Sequence, residues 1–374
     1  MPLLFDLTAS QPFATWKRHG GGKYCEMLFM AMIQRNVNFA AFYDSSKYIN
    51  PVVLEHAKKK HIHLFDVSKQ TLESIVSNHN ISAIYSAIPE QLLPWPNCKI
   101  LGTIHGLRAV ELPFDFFSIR QRDFGLIGLN SILAFFNYKK NQNRAKNHYK
   151  KLLNANDFFF VTDSDHSKQV IKNLCGKSDI PVFFPPSTTN KLFTRINKKY
   201  FLLVSADRYE KNCIRVIIAL DRLYSKGLIS SSSRTKITGL ASPNFKYKLR
   251  NKDFFDFLGY VEEDELNSLY ANCGCFIYPS LNEGFGYPPL EAMQYGVPVI
   301  ASNVTSIPEV CGNAVQYVNP KSIKSIEDAI VKTTDENFYE ILSQKGFEQY
   351  KNIANRQKED VDKLINWILS HLSE

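Results

Sequence analysis

Two carboxylates and two cations carry most of the chemistry legible in the chain. Glu283 and Glu291 stand eight residues apart in NEGFGYPPLEAMQYG. In one unbroken helix that spacing sets them about 80° apart with roughly 12 Å of rise, so they would not meet. Gly284, Gly286, Pro288 and Pro289 instead make Glu283 a loop residue and put proline in the first turn of a helix ending at Gly296. Glu291 then lies near that helix's N-terminus, where the dipole favours its ionised form. Gly284 and Gly286 let the loop amides, including that of Phe285, approach a ligand closely. A loop carboxylate beside such amides suits a polyol such as a sugar, and the second carboxylate suits a ribose. The plainer alternative is a glycine-bearing turn with a surface Glu and a helix-start Glu.

Arg208 and Lys211 lie in SADRYEKN, after the apolar run FLLVSA and before the helix-like CIRVIIALDRLY. Cations there adjoin a helix N-terminus, which favours anions, although a solvated basic turn fits too. Gly20, Gly21, Gly22 and Lys23 follow the first apolar run and precede KYCEMLFMAMIQR, with Lys17, Arg18 and His19 just before. They form neither a P-loop nor a G-x-G-x-x-G element, and read as a loop open to a ligand or as a plain loop. His105 ends the run ILGTIH, followed by Gly106, a place that suits a functional or a structural histidine. Asp163-Ser164-Asp165 spells DxD, but it stands between FFFVT and HSKQVIK, where Asp163 or Ser164 more simply caps a helix.

These motifs need a scaffold, and the pattern supplies an α/β one. Short β-rich runs start at Leu3, Asn38, Ile62, Ala83, Ile100 and Phe158, and again at Phe201, Thr235, Phe254, Gly274, Val297 and Ala314. Helix-like segments separate them, as in parallel sheets covered on both faces. Each series is of Rossmann size, and ligands in such sheets sit beyond the carboxyl ends of the strands, where the motifs fall. Pro185 and Pro186 mark a linker near Ser187. The expected domains are 1–187, 188–355 and a C-terminal helix, 356–374, packing across both, with Trp367, Ile368 and Leu372 on its apolar face.

With 374 residues, 44% hydrophobic and 13% aromatic, the chain is globular and long enough for two cores. Seven scattered cysteines make neither a disulfide framework nor a zinc pattern, so a reducing cytosol is expected. No signal peptide is expected from the N-terminus. The most apolar window, Phe124 to Phe136, is too short to span a bilayer.

EGFGYPPLEAMQYGVPVIAS, followed by SIPEVCG, resembles the E-x7-E signature of the family-four retaining glycosyltransferases. The resemblance implies the GT-B fold, two Rossmann-like domains facing across a cleft, with the acceptor mainly on the first and a nucleotide-sugar donor mainly on the second. It implies that Glu283 contacts the donor sugar and Glu291 the nucleotide ribose. RYEK resembles the family's R-x-x-K element, which would set Arg208 and Lys211 on the donor diphosphate. Gly21 and Gly22 match its Gly-rich loop facing the donor phosphates and acceptor, and His105 its strand-end histidine, which would approach the donor sugar and acceptor to orient a hydroxyl or stabilise charge. Arg108, Lys23 and Glu111 would belong to the acceptor side. No metal or other cofactor is implied. PSTTNK departs from the family's usual Asn-Gly-containing linker. The pocket sequence resembles bacterial mannosyltransferases of polysaccharide and O-antigen assembly, which makes GDP-mannose the first donor expected and a glycan or polyprenyl-linked glycan the acceptor.

The formal charge of +9 concentrates in NYKKNQNRAKNHYKK, residues 137–151, which has six Lys/Arg and no acid. Such a helix could lie on an anionic membrane surface at the inner face of the cytoplasmic membrane, or present a wet basic face from a core helix. A basic nucleic-acid-binding protein is the alternative from a different class, disfavoured because no recognition module accompanies the charge, so nucleic acid is not an expected partner. A GT-B sugar-nucleotide epimerase and a noncatalytic sugar-nucleotide binder remain as alternatives, separated by whether an acceptor is needed and whether the donor survives.

Overall fold

The computed structural model describes residues 2–12, 20–117, 129–187 and 200–372. Lys17, Arg18 and His19, most of the apolar window 124–136, and the linker residues 188–199 lie outside the described residues or have no described side chain.

Among the described residues, twelve strands form two six-stranded parallel sheets. The first contains β1 (Leu3–Asp6), β2 (Ala40–Tyr43), β3 (Leu64–Asp66), β4 (Ala83–Ser86), β5 (Lys99–Ile104) and β6 (Phe158–Thr162), in the order β3-β2-β1-β4-β5-β6. The second contains β7 (Tyr200–Leu203), β8 (Arg234–Thr238), β9 (Phe255–Gly259), β10 (Cys275–Tyr278), β11 (Val299–Ser302) and β12 (Gln316–Val318), in the order β12-β11-β10-β7-β8-β9. Counted from its own first strand, each sheet reads 3-2-1-4-5-6, the dinucleotide-binding Rossmann order. Every apolar run expected as a strand is one. The central strands β1, β4, β7, β10 and β11 are buried at every residue, which explains their largely apolar sequence, the polar Asp6, Ser86 and Ser302 standing at the carboxyl ends of β1, β4 and β11.

The chain divides into two compact units. The first holds Met1–Leu107, Asn147–Asn190 and Ala354–Glu374, and the second holds Arg108–Lys146 and Lys191–Ile353. In the first, Phe5, Leu28, Phe29 and Tyr85 pack with Val361, Leu364, Ile365 and Ile368. Those last four come from the long helix Glu336–Ser370, whose residues up to Ile353 group with the second unit. In the second unit the helix Cys213–Ser225 buries Val216, Ile217, Leu220 and Leu223 against Ile237, Ile277 and Ile300.

The order of each sheet reverses direction once, between β1 and β4 and between β7 and β10. A crevice opens at the carboxyl ends of strands flanking such a reversal, and in the second sheet Lys211 and Glu283 follow those strands.

Candidate active site

In the second unit, Lys211 and Glu283 meet at the reversal between β7 and β10. Lys211 ends the short 3-10 turn Tyr209–Lys211 after β7, and Glu283 lies in the loop after β10. Lys211 Nζ donates to Glu283 Oε1 at 2.7 Å and to the Tyr278 hydroxyl at 2.6 Å. Tyr278 Oη, at 2.7 Å, and Ser280 Oγ, at 2.5 Å, donate to the same carboxylate oxygen. Lys211 and Glu283 are only 5% and 7% exposed. Burial pushes the Glu283 carboxyl up, but the Lys211 and Arg108 charges and the hydrogen bonds from Lys211 and Ser280 outweigh it and hold its pKa below the ordinary value.

The loops are tied together by main chain as well. Leu281 N donates to Glu210 O at 2.7 Å and Ser280 Oγ to the same oxygen at 3.1 Å. Ser306 Oγ donates to the carbonyls of Glu283 and Phe285 at 3.1 and 2.9 Å. Gly286 has φ +110° and caps the helix Tyr287–Gln294, which has proline in its first turn as the sequence implied. A side chain at Gly286 would strain this left-handed turn. Glu291 sits in that helix, half-buried, and accepts from Tyr270 Oη at 3.1 Å. Gly284 is half-buried and Phe285 buried.

Two arginines flank the pair. Arg108 Nη1 donates to Glu210 Oε1 at 2.7 Å, and Arg208 Nε lies 3.6 Å from the same oxygen. Arg108, expected with the acceptor residues, thus groups in the unit that holds Lys211 and Glu283, and its charge bears on Glu283. Its segment is anchored by an ion pair that sequence reading missed. Arg215 donates to Asp115 through Nη1 at 2.5 Å and Nη2 at 2.8 Å, both residues being buried. Asp115 inside the apolar run LPFDFF was the available signal, because an acid there needs a buried partner. Asn212, at the start of the helix Cys213–Ser225, completes the anchor by donating to Pro279 O and Pro320 O and accepting from Arg215.

In the first unit, His105 directly follows β5 and Asp163 directly follows β6. The parallel register pairs Ile104 with Thr162, so the next residues come side by side. His105 Nδ1 lies 2.9 Å from Asp163 Oδ2, and the Tyr24 ring stands edge-on to the imidazole at 4.6 Å. Ser164, not Asp163, caps the helix Asp165–Cys175, accepting from Ser167 N at 3.2 Å. The DxD triplet therefore splits between a histidine partner and a helix start. Glu90 lies within electrostatic reach of His105. Burial pushes its carboxyl up, against the lowering effects of a backbone hydrogen bond and of His105.

Gly20, Gly21 and Gly22 differ from the expected open loop, because all three are helical, in Gly20–Gln34. The glycines' helix penalty is offset by the buried face of Tyr24, Cys25, Leu28 and Phe29 that follows. Lys23 is half-buried there, and Glu111 lies in the short helix Arg108–Glu111. Among the described residues, no group of three or more His, Cys, Asp or Glu is arranged to hold a metal.

Residues 186–359 match the family model described as Glycosyl transferases group 1. O-antigen chain mannosyltransferase B of Escherichia coli is 44% identical over 99 residues, which cover 26% of this chain and 26% of that protein. This chain therefore aligns with about a quarter of that relative's length. Among solved structures, sucrose-phosphate synthase from Thermosynechococcus elongatus superposes with TM-score 0.71 at 14% identity, over 100% of both chains. HepE from Anabaena, solved in complex with UDP-glucose, superposes with TM-score 0.65 at 14% identity, over 98% of this chain and 100% of the other. At these identities the structural likeness establishes the fold, an α/β architecture of the GT-B type.

Proposed function

We propose, from the match of residues 186–359 to the group 1 glycosyltransferase model, that the protein is a retaining hexosyltransferase that uses a nucleotide-sugar donor. The observation that carries this reading is the buried Lys211–Glu283 pair at the β7/β10 reversal, flanked by Arg108 and Arg208. Two of the three Lys211 N–H bonds are spent on Glu283 and Tyr278, and the third, without a partner among the described residues, is left for a phosphate oxygen. Arg208 joins it on the diphosphate. Glu283 receives the sugar hydroxyls, Glu291 the ribose, and the backbone at Gly284, Phe285 and Gly286 lies against the donor. Gly21, Gly22, Lys23 and His105 are assigned substrate-binding roles in the same reading.

In the reaction, an acceptor hydroxyl attacks the anomeric carbon on the face from which the diphosphate leaves. The new C–O bond forms as the old one breaks, and the hydroxyl proton passes to the departing phosphate oxygen. Arg208 and Lys211 stabilise the charge that grows there, and no metal is required. The relative named as an O-antigen mannosyltransferase supports mannose, from GDP-mannose, and a glycan or polyprenyl-linked glycan acceptor in surface polysaccharide assembly.

The basic helix Leu129–Leu153, largely exposed over residues 135–151, supports peripheral contact with the inner face of the cytoplasmic membrane. Among the described residues, no helix is long and apolar enough to cross a membrane.

The test is transfer of labelled mannose from GDP-mannose to lipid-linked glycan, with the anomeric configuration of the product read by NMR. An α-linked product supports the reading. Release of an epimerised nucleotide sugar without acceptor, or inversion at the anomeric carbon, contradicts it.

A further inference from the structure

Asp163 has a contact that neither helix capping nor donor binding explains. The residue is 2% exposed, its Oδ2 faces His105 Nδ1, and its Oδ1 has no hydrogen-bond partner among the described residues. To bond a carboxylate, Nδ1 must carry a proton, so neutral His105 is held as the Nδ1–H tautomer with its lone pair on Nε2. Nε2 is itself buried and has no hydrogen-bond partner among the described residues, although the side chain as a whole is 27% exposed. The Tyr24 ring, fixed by bonds from its hydroxyl to Tyr85 and Thr103, stands edge-on to the imidazole and limits its rotation. A buried acceptor left without a donor is costly, and a ligand hydroxyl would satisfy it.

We propose that Asp163 is a positioning residue, which holds His105 so that Nε2 accepts a hydrogen bond from a hydroxyl of the sugar substrate. This rests on the glycosyl-transfer reading for the identity of the ligand, but not for the tautomer. It assigns His105 the accepting role and makes an uncharged amide at position 163 the wrong partner, since an amide can donate to Nδ1 and push the proton to Nε2.

The test uses the full chain and two readouts. Two-bond 1H–15N spectra at about pH 8.5, where imidazole is neutral, with His105 assigned by its loss in His105→Gln, should show the Nδ1–H tautomer in the wild type and Nε2–H in Asp163→Asn. In donor turnover, Asp163→Asn and His105→Gln should each lower kcat/KM at least ten-fold, and the double variant should fall no further than the worse single. Asp163→Ala, lacking any partner atom, should give a mixture of tautomers, and decides the matter if Asp163→Asn misfolds. An Nε2–H tautomer in the wild type, or Asp163→Asn turnover within two-fold of wild type, overturns the proposal. If the wild type turns over no nucleotide sugar, the transferase reading fails. The spectra then still decide whether Asp163 sets the tautomer.

Discussion

Lys211 and Glu283 are each other's counter-charge, so a substitution at either is a stability change as well as a functional one. Lys211→Ala leaves a buried carboxylate, and Glu283→Gln leaves a buried ammonium; removing one partner of such a pair costs on the order of 3–5 kcal/mol. Both variants should melt well below the wild type, with the double variant Lys211→Met/Glu283→Gln recovering part of the loss; equal midpoints in all three would contradict the pairing. The acid limb of stability follows from the same group. The folded Glu283 pKa is depressed, so its contribution is whole above the ordinary carboxylate value and is lost as pH falls through the lower folded one. Glu283→Gln should therefore flatten the fall in stability on acidification, as read by denaturant midpoints across pH. Arg208 is the cleaner probe of function, being 36% exposed and outside the buried pair. Arg208→Ala should keep the melting midpoint and lose donor affinity.

Among the elements, the segment Arg108–Phe117 owes its place to the Asp115–Arg215 pair, with Phe117 stacked on the guanidinium at 4.3 Å and Tyr209 Oη donating to Pro113 O at 3.1 Å. Arg215→Ala should raise hydrogen exchange throughout residues 108–117 while leaving β10 and β11 protected; unchanged exchange in the segment would show that the pair does not anchor it. Ser164→Ala should cost about 1 kcal/mol, the usual worth of an N-cap, read as a lower denaturant midpoint. The elements were legible in the chain because parallel strands buried on both faces announce themselves as apolar runs, and because the glycine and proline pattern around Glu283 fixes a loop and a helix start locally. Their long-range partners were not. His105 and Asp163 lie 58 residues apart, and Arg215 and Asp115 lie 100 apart. Such pairs are set by strand order and packing, which no local pattern encodes. Gly20–Gly22 went the other way, read as a loop from glycine content, because the apolar face of the following turns outweighs glycine's weak helix propensity.

For the molecule as a whole, the charge of +9 and the basic face of the helix Leu129–Leu153, with Phe135 and Phe136 exposed beside Lys139 and Lys140, favour an anionic surface. Binding to anionic vesicles should weaken as salt rises and fall in Lys139→Glu/Lys140→Glu; binding equal to that on neutral vesicles would remove the membrane from the account. The central claim concerns the donor. The measurement that tests it most directly is binding and slow hydrolysis of a panel of nucleotide sugars by the wild type and by Arg208→Ala. The account predicts one selectively bound donor, GDP-mannose first, hydrolysed slowly without acceptor and lost in Arg208→Ala. Binding of every nucleotide alike, unaffected by Arg208→Ala, would contradict it.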